Sequence, residues 1–337
     1  DGNTWQSIVG ASTLLWIVHF LILRGVQTAA SINLVATLAK LLPLGLFVVL
    51  AMMMFKLDTF KLDFTGLALG VPVWEQVKNT MLITLWVFIG VEGAVVVSAR
   101  ARNKRDVGKA TLLAVLSALG VYLLVTLLSL GVVARPELAE IRNPSMAGLM
   151  VEMMGPWGEI IIAAGLIVSV CGAYLSWTIM AAEVPFLAAT HKAFPRIFAR
   201  QNAQAAPSAS LWLTNICVQI CLVLIWLTGS DYNTLLTIAS EMILVPYFLV
   251  GAFLLKIATR PLHKAVGVGA CIYGLWLLYA SGPMHLLLSV VLYAPGLLVF
   301  LYARKTHTHD NVLNRQEMVL IGMLLIASVP ATWMLVG

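Results

Sequence analysis

The chain has 337 residues, of which 61% are hydrophobic and only 11% are charged, with a formal net charge of +6. So few charged side chains cannot cover a water-soluble protein of this length, and apolar runs of about 20 residues, each long enough to cross the hydrocarbon core, recur throughout. The basic residues lie in short clusters between these runs, which is typical of a membrane protein and argues against a nucleic-acid partner.

Apolar runs bounded by charge, Pro or Gly predict ten membrane spans. In chain order they cover residues 6–23, 32–55, 78–98, 109–133, 156–190, 208–228, 233–256, 265–281, 284–303 and 316–336. We expect each span to be helical, because a lone strand cannot satisfy its backbone groups in lipid and the alternation of an outer-membrane barrel is absent. The predicted fold class is an all-α integral membrane protein.

If the spans alternate in direction, the basic residues divide unequally between the two sides of the membrane. Fifteen lie on one side: Arg24, Arg100, Arg102, Lys104, Arg105, Lys109, Lys192, Arg196, Arg200, Lys256, Arg260, Lys264, Arg304, Lys305 and Arg315. The other side has five, Lys56, Lys61, Lys78, Arg135 and Arg142, and Lys40 remains inside a span. The positive-inside rule assigns the first side to the cytoplasm.

This orientation places both ends of the sequence on the outer side. The first residue is Asp1 rather than Met, and no signal-peptide pattern precedes the first span. Because the first loop of a complete bacterial carrier is usually cytoplasmic, we expect an odd number of further spans upstream. Transporters built from paired inverted repeats favour the same expectation.

Few ionisable residues lie at membrane depth, where they are costly and face protein or water rather than lipid. Lys40, in the second span, is too central to reach the interface easily, so we expect it to pair with an acid, hold backbone carbonyls or lose its proton. The alternative is a permanently paired lysine that only fixes helix contacts. For Glu183 in the fifth span and Glu241 in the seventh, a solvated or structural role is favoured.

The third span contains a carboxylate between two glycines, in the sequence Trp86-Val-Phe-Ile-Gly90-Val-Glu92-Gly93. The glycines lower the cost of leaving helical geometry, so a broken helix is predicted here, with backbone carbonyls freed to meet an ammonium group. The alternative is a straight helix in which Glu92 hydrogen-bonds a neighbour. Trp86 taken alone indicates packing, but an aromatic face beside a broken helix can cap a cation.

The remaining features indicate neither a metal site nor an enzyme. Trp177 taken alone is a packing residue of an apolar helix. The basic loop 100–106 sets topology, with contact to anionic lipids as a minor option. His307, His309 and Asp310 lie in a polar loop without a supporting cluster, so we predict no metal there. No nucleophile, nucleotide-binding or zinc-protease motif occurs, and no cofactor is expected.

Three segments resemble a known family. The third span with the following Asn103-Lys-Arg-Asp-Val107 is similar to the sixth helix of the amino acid/polyamine/organocation superfamily. Ser176-Trp177-Thr178 and the loop 194–200 resemble its eighth helix and the loop after it, and 240–247 resembles its tenth helix. The similarity is strongest to the basic amino acid/polyamine antiporter branch, in particular arginine/ornithine antiporters, followed by lysine/cadaverine and arginine/agmatine relatives.

The resemblance implies a leucine-transporter-like inverted-repeat fold whose first and sixth helices are broken around the substrate. Residues 1–337 would then form a single membrane transport domain from the fourth helix onward, about ten helices in all, with the three N-terminal helices upstream. Three upstream helices agree with the odd number that the loop charges independently predict. The function implied is exchange of a cationic amino acid, arginine or lysine, for ornithine or a related amine by alternating access.

The resemblance also assigns roles to individual residues. Substrate-binding or gating positions are Trp86, Ile89, Gly90, Glu92, Trp177 and Ser240. Among these, the residue matching Trp86 closes over the substrate, that matching Trp177 contacts its aliphatic stem, and that matching Glu92 gates the inward path. Ser240 matches a position close to the substrate side chain. Lys40 matches a lysine that takes the place of a sodium ion in some proton-coupled members and is absent from other exchangers.

Alternatives to exchange remain at this stage. A proton-coupled amino acid uptake permease is the nearest, and a membrane receptor or scaffold without transport is the remote one. The expected location is the bacterial inner membrane, and the expected partners are a small cationic amino acid or amine and the lipid bilayer. A homodimer is a hypothesis, because nothing in the sequence sets the oligomeric state.

Overall fold

Each of the ten predicted spans is helical in the computed structural model, which describes residues 4–98, 101, 103–141, 144–229, 232–307, 313 and 315–336. In chain order the helices are α1 (Trp5–Leu23), α2 (Val26–Met54), α3 (Leu57–Lys61), α4 (Val73–Phe88), α5 (Gly93–Val96), α6 (Lys104–Val132), α7 (Arg135–Glu140), α8 (Ser145–Met154), α9 (Pro156–Thr190), α10 (Ser208–Thr228), α11 (Tyr232–Ile257), α12 (Pro261–Ser281), α13 (Pro283–His307) and α14 (Arg315–Val336). No strand occurs within these ranges, and the all-α prediction is confirmed.

Seven uninterrupted helices in the described part of the chain are long and apolar enough to cross a membrane: α1, α2, α6, α9, α10, α11 and α12. The third predicted span differs from them because it is divided between α4 and α5. The last two predicted spans correspond to α13, with 25 residues, and α14, with 22. The chain is thus a multi-pass membrane protein.

The outer surface of the helices is apolar, which fits a lipid solvent. On α6, for example, Leu112, Leu113 and Leu116 are 60%, 65% and 55% exposed. A soluble protein rarely exposes a contiguous apolar surface of this kind, whereas lipid tails solvate it at no cost.

The longest helix, α9, lies at the centre of two buried clusters. With 35 residues it extends over about 52 Å at 1.5 Å per residue. Leu175 and Ile179 pack with side chains of α1 and α10, and Ile162 packs with α2 and α8, where Phe47 and Met150 are fully buried. Helix α9 therefore packs against α1, α2, α8 and α10.

A third cluster joins α4 to α11 and α12 through Leu85, Leu244 and Leu277, all at most 3% exposed. Small residues let α11 and α12 approach closely: a methyl group added at Gly274 would lie 3.1 Å from the Phe248 backbone. This packing holds α4 at Leu85, three residues before the helix ends at Phe88.

Short segments connect the spans on the side that the charge distribution predicts to face outward. Gln76, in the first turn of α4, donates its side-chain amide to the carbonyls of Thr65, Gly66 and Val71, at 3.3, 3.4 and 2.9 Å. Asp63 forms an ion pair with Arg135, the first residue of α7. These contacts tie the segment before α4 to the first turn of α4 and to α7.

On the opposite side, His307 accepts a hydrogen bond from Arg196 Nε at 3.1 Å, and its Nε2 lies 3.2 Å from the Phe194 carbonyl oxygen. Its role in the described structure is a loop contact, and no group of three or more metal-ligating side chains occurs among the described residues. Five residues used in the charge and metal arguments, Arg100, Arg102, Arg142, His309 and Asp310, lie outside those residues.

Candidate functional site

The third predicted span is broken where the glycines and the carboxylate lie. Helix α4 ends at Phe88, Ile89 adopts extended backbone angles (φ −61°, ψ 131°), and α5 begins at Gly93. Gly90 has φ +104°, a conformation that residues with a side chain rarely adopt. The predicted helix break is therefore confirmed, and Gly90 is the residue whose lack of a side chain permits it.

The Glu92 carboxylate folds back over the break. Its Oε2 accepts hydrogen bonds from the Gly90 N–H at 3.0 Å and from the Tyr247 hydroxyl of α11 at 3.1 Å. Hydrogen bonds to an ionised group are roughly twice as strong as neutral ones. One half-buried carboxylate thus satisfies a backbone donor released by the break and joins that segment to α11.

The carbonyl groups at the end of α4 are not free in this conformation. The oxygens of residues 86, 87 and 88 accept, in that order, from the Ile89 N–H at 3.2 Å, the Tyr122 hydroxyl at 2.8 Å and the Val91 N–H at 3.3 Å. The expectation that the break exposes unsatisfied carbonyls to an ammonium is wrong for these three groups. Local turns and a neighbouring helix satisfy them, because an unpaired carbonyl is costly away from water.

Helix α9 packs against both glycines of the break. A methyl group added at Gly90 would lie 3.0 Å from a ring carbon of Trp177, and one added at Gly93 would lie 2.9 Å from the Met180 sulfur. The absence of side chains on the break thus lets an indole and a thioether approach the backbone. Trp177 of α9 and the Gly90 and Glu92 motif, which lie far apart in the sequence, lie together in the structure.

Trp177 and Glu92 line a cavity of about 1010 Å³. Its lining comes from the break and from α6, α9, α11 and α12, and it is largely apolar. The polar side chains that line it are Thr84, Glu92, Thr111, Tyr247 and Tyr273. Of the described lining residues, Glu92 alone carries a formal charge, so a cation entering the cavity meets a single fixed anion.

Four of the six predicted site residues do not line this cavity: Trp86, Ile89, Gly90 and Ser240. Ile89 and Gly90 form the backbone of the break. Trp86 lies in the last turn of α4 and is half-buried. Ser240 is fully buried, and its hydroxyl donates to the Leu236 carbonyl of its own helix at 2.8 Å. Their assigned contacts with substrate stay predictions.

Lys40 lies on α2, away from the cavity. It shares a helix face with Ala36 and Pro43, which closely approach Gly172 and Gly165 of α9. Lys40 is therefore placed on the face of α2 that contacts α9, and no carboxylate of the described residues is within 4.0 Å of its ammonium. The described structure does not supply the permanent ion pair considered as an alternative, and proton coupling through Lys40 stays a prediction.

The other two intramembrane acids are buried. Glu183 is 1% exposed and Glu241 is 5% exposed. A solvated role for either residue is therefore wrong in this conformation, and the structural role remains. Their burial depends on how other helices pack around them, which the position of a residue along a span does not reveal.

Sequence reasoning missed Tyr247, Tyr122 and Met180 as members of the site. Tyr247 lies seven residues after Ser240, two helical turns along α11, and that spacing places it on the face already under consideration. Tyr122 and Met180 give no comparable signal, since their importance comes from contacts with a distant segment.

Comparison with known proteins identifies the family. A model of the family described as amino acid permease matches residues 1–325. The chain is 44% identical to the arginine/ornithine antiporter of Pseudomonas aeruginosa over 323 residues, which cover 90% of this chain and 67% of that protein. It is 41% identical to the arginine/agmatine antiporter of Chlamydia caviae, with 92% and 67% covered. For the arginine/agmatine antiporter of Chlamydia pneumoniae the identity is 39%, with 97% and 72% covered.

The family match extends over most of the chain, including the three segments whose resemblance was noted from sequence. The predicted resemblance is confirmed, and the all-helical structure with several membrane spans agrees with the transporter fold that it implied. The chain belongs to the amino acid permease family, in the amino acid/polyamine/organocation superfamily.

Proposed function

We propose that the protein is a secondary antiporter of the bacterial inner membrane, which exchanges a cationic amino acid, arginine or lysine, for ornithine or a related amine. The observation that carries this proposal is Glu92, the one charged side chain among the described lining residues of the cavity, held at a broken helix. The relatives named as arginine/ornithine and arginine/agmatine antiporters support the same substrate class.

Glu92 has the chemistry to sense a cation. In an apolar cavity a carboxylate attracts an ammonium or guanidinium group far more strongly than it would in water. The arriving cation competes with Tyr247 and the Gly90 N–H for the same oxygen, so binding weakens the link between the break and α11. A substrate that weakens this link shifts the equilibrium between conformations, which is the requirement for alternating access.

The aromatic residues complete the proposed site. Trp177 lies against the break and lines the cavity, where its ring can pack on the aliphatic stem of the substrate. Trp86 closes over the substrate from the end of α4, and Ser240 lies near its side chain. This cycle makes and breaks no covalent bond, so the proposal assigns transport rather than enzymatic activity and needs no cofactor.

Counterflow in proteoliposomes tests the proposal. The assay uses the longest reading frame that contains residues 1–337, since three upstream helices are predicted. Entry of labelled arginine should require internal ornithine and should be negligible in empty vesicles. Entry into empty vesicles driven by a pH gradient would contradict exchange and favour the proton-coupled permease. Arginine binding without entry under any gradient would favour the receptor.

The permease alternative has one observation in its favour, the Lys40 ammonium without a described carboxylate partner. Lys40→Met should leave arginine/ornithine exchange within about twofold of wild type if Lys40 has no coupling role, and should abolish uptake driven by a pH gradient if it carries the proton. Lys40→Arg keeps the charge but does not release a proton, so it separates coupling from packing.

The homodimer remains a proposal, which cross-linking in native membranes tests.

A further inference from the structure

A tyrosine on α6 reaches the end of α4. The Tyr122 hydroxyl donates to the Val87 carbonyl at 2.8 Å, and its ring meets the Phe88 ring edge to face, with centroids 5.5 Å apart and planes at 83°. Two neighbouring residues at the end of α4 are therefore held by one side chain, one through its backbone and the other through its ring.

The position of α6 gives this contact its significance. Helix α6 packs against α5, the part of the broken span that follows the break, and its residues Thr111 and Val115 line the same cavity as Glu92. Tyr122 thus connects the end of the first half of the span to a helix that packs on the second half.

The hydrogen bond from Tyr122 to Val87 also favours one end point for α4. The last four carbonyls of a helix lack partners within it. At the end of α4, local N–H groups satisfy the carbonyls of Trp86 and Phe88, and the Val87 carbonyl accepts from a side chain of another helix. Ending the helix one residue earlier or later would change which carbonyl needs the external donor, so the Tyr122 hydroxyl favours one register of the break.

We propose that Tyr122 is a positioning residue, which fixes the end of α4 and thereby the direction of Trp86 and Phe88 during the transport cycle. Trp86 immediately precedes the anchored residue, so a change in the register of the last turn would redirect its side chain. The inference rests on the proposed exchange function, and it assigns Tyr122 no contact with substrate.

Tyr122→Phe tests the proposal because it removes the hydroxyl and keeps the ring against Phe88. In arginine/ornithine counterflow we expect kcat to fall about tenfold, the size expected for one lost internal hydrogen bond, and KM to stay within about twofold. Tyr302→Phe is the matched control, since Tyr302 is a tyrosine of α13 that is 61% exposed, and it should exchange at the wild-type rate. Size-exclusion profiles in detergent compare the folding of the variants.

The outcomes are distinguishable. Wild-type protein without exchange would refute the proposed function, whatever Tyr122 does. Normal exchange by Tyr122→Phe beside active wild type would overturn the positioning role alone. An increase in KM at unchanged kcat would also overturn it, because that result assigns Tyr122 to substrate binding. A variant that aggregates would assign a general folding role and would count against the proposal too.

Discussion

Helix α9 and the broken α4–α5 span contain similar residues but differ in structure. Both are apolar, and each contains glycine, tryptophan and a glutamate. Yet α9 continues for 35 residues through Pro185, whereas the other span breaks after Phe88. Glycine content therefore does not by itself predict a break.

The difference lies in what surrounds the glycines. In α9, Gly165 and Gly172 keep helical geometry and serve as contact points for Pro43 and Ala36 of α2. At the break, Gly90 has positive φ, and its N–H is satisfied by the carboxylate two residues later. A helix breaks at a glycine where nearby polar groups replace the lost helical hydrogen bonds. A glycine is a packing site where another helix occupies the space that a side chain would take.

The largest effect is expected from Gly90→Ala. The added methyl group would meet the Trp177 ring and force a side chain into a strained backbone conformation. We therefore expect counterflow to fall more than about a hundredfold, which abolishes measurable exchange. Gly269→Ala is the matched control, because Gly269 lies in α12 with open space at the Cβ position. Wild-type rates for Gly90→Ala would show that transport does not need this backbone geometry.

Trp86→Leu should also abolish exchange if Trp86 closes over the substrate, because leucine lacks the aromatic face that covers a cation. The protein should remain folded in the membrane, since Trp86 is only half-buried. Counterflow measures the loss, and membrane abundance checks folding. Normal exchange would refute the gating role.

Glu92→Gln should slow exchange more than it weakens binding. The amide keeps the shape of the side chain but loses the charge-assisted hydrogen bonds to Tyr247 and Gly90, so we expect kcat to fall about tenfold to a hundredfold. Arginine affinity, measured by calorimetry, should change less than the turnover does. The reverse pattern would mean that Glu92 contributes mainly to substrate affinity and not to the conformational change.

The positions of the spans and of the helix break were predictable from sequence. The hydrogen-bond donors that stabilise the break were not, for a physical reason. Span positions follow from hydropathy, and the break follows from Gly90, Glu92 and Gly93, because both signals are local. The donors that stabilise the break are not local: Tyr247 is 155 residues from Glu92, and Tyr122 is 35 residues from Val87. Their identity depends on how helices pack, and this explains why the carbonyls were expected to be free.

The smallest functional effect is expected in α9, from Gly172→Ala. The added methyl group would overlap the Ala36 side chain at the α2–α9 contact, and overpacking of this kind costs about 1–3 kcal/mol. The midpoint of thermal unfolding in detergent should therefore fall, while KM and kcat for exchange stay within about twofold of wild type, because this glycine has helical geometry and lies outside the cavity lining. Gly10→Ala in α1 has open space and should not lower the midpoint. Loss of exchange with unchanged thermal stability would contradict the distinction between packing glycines and break glycines, since it would give the α2–α9 contact a part in the transport cycle.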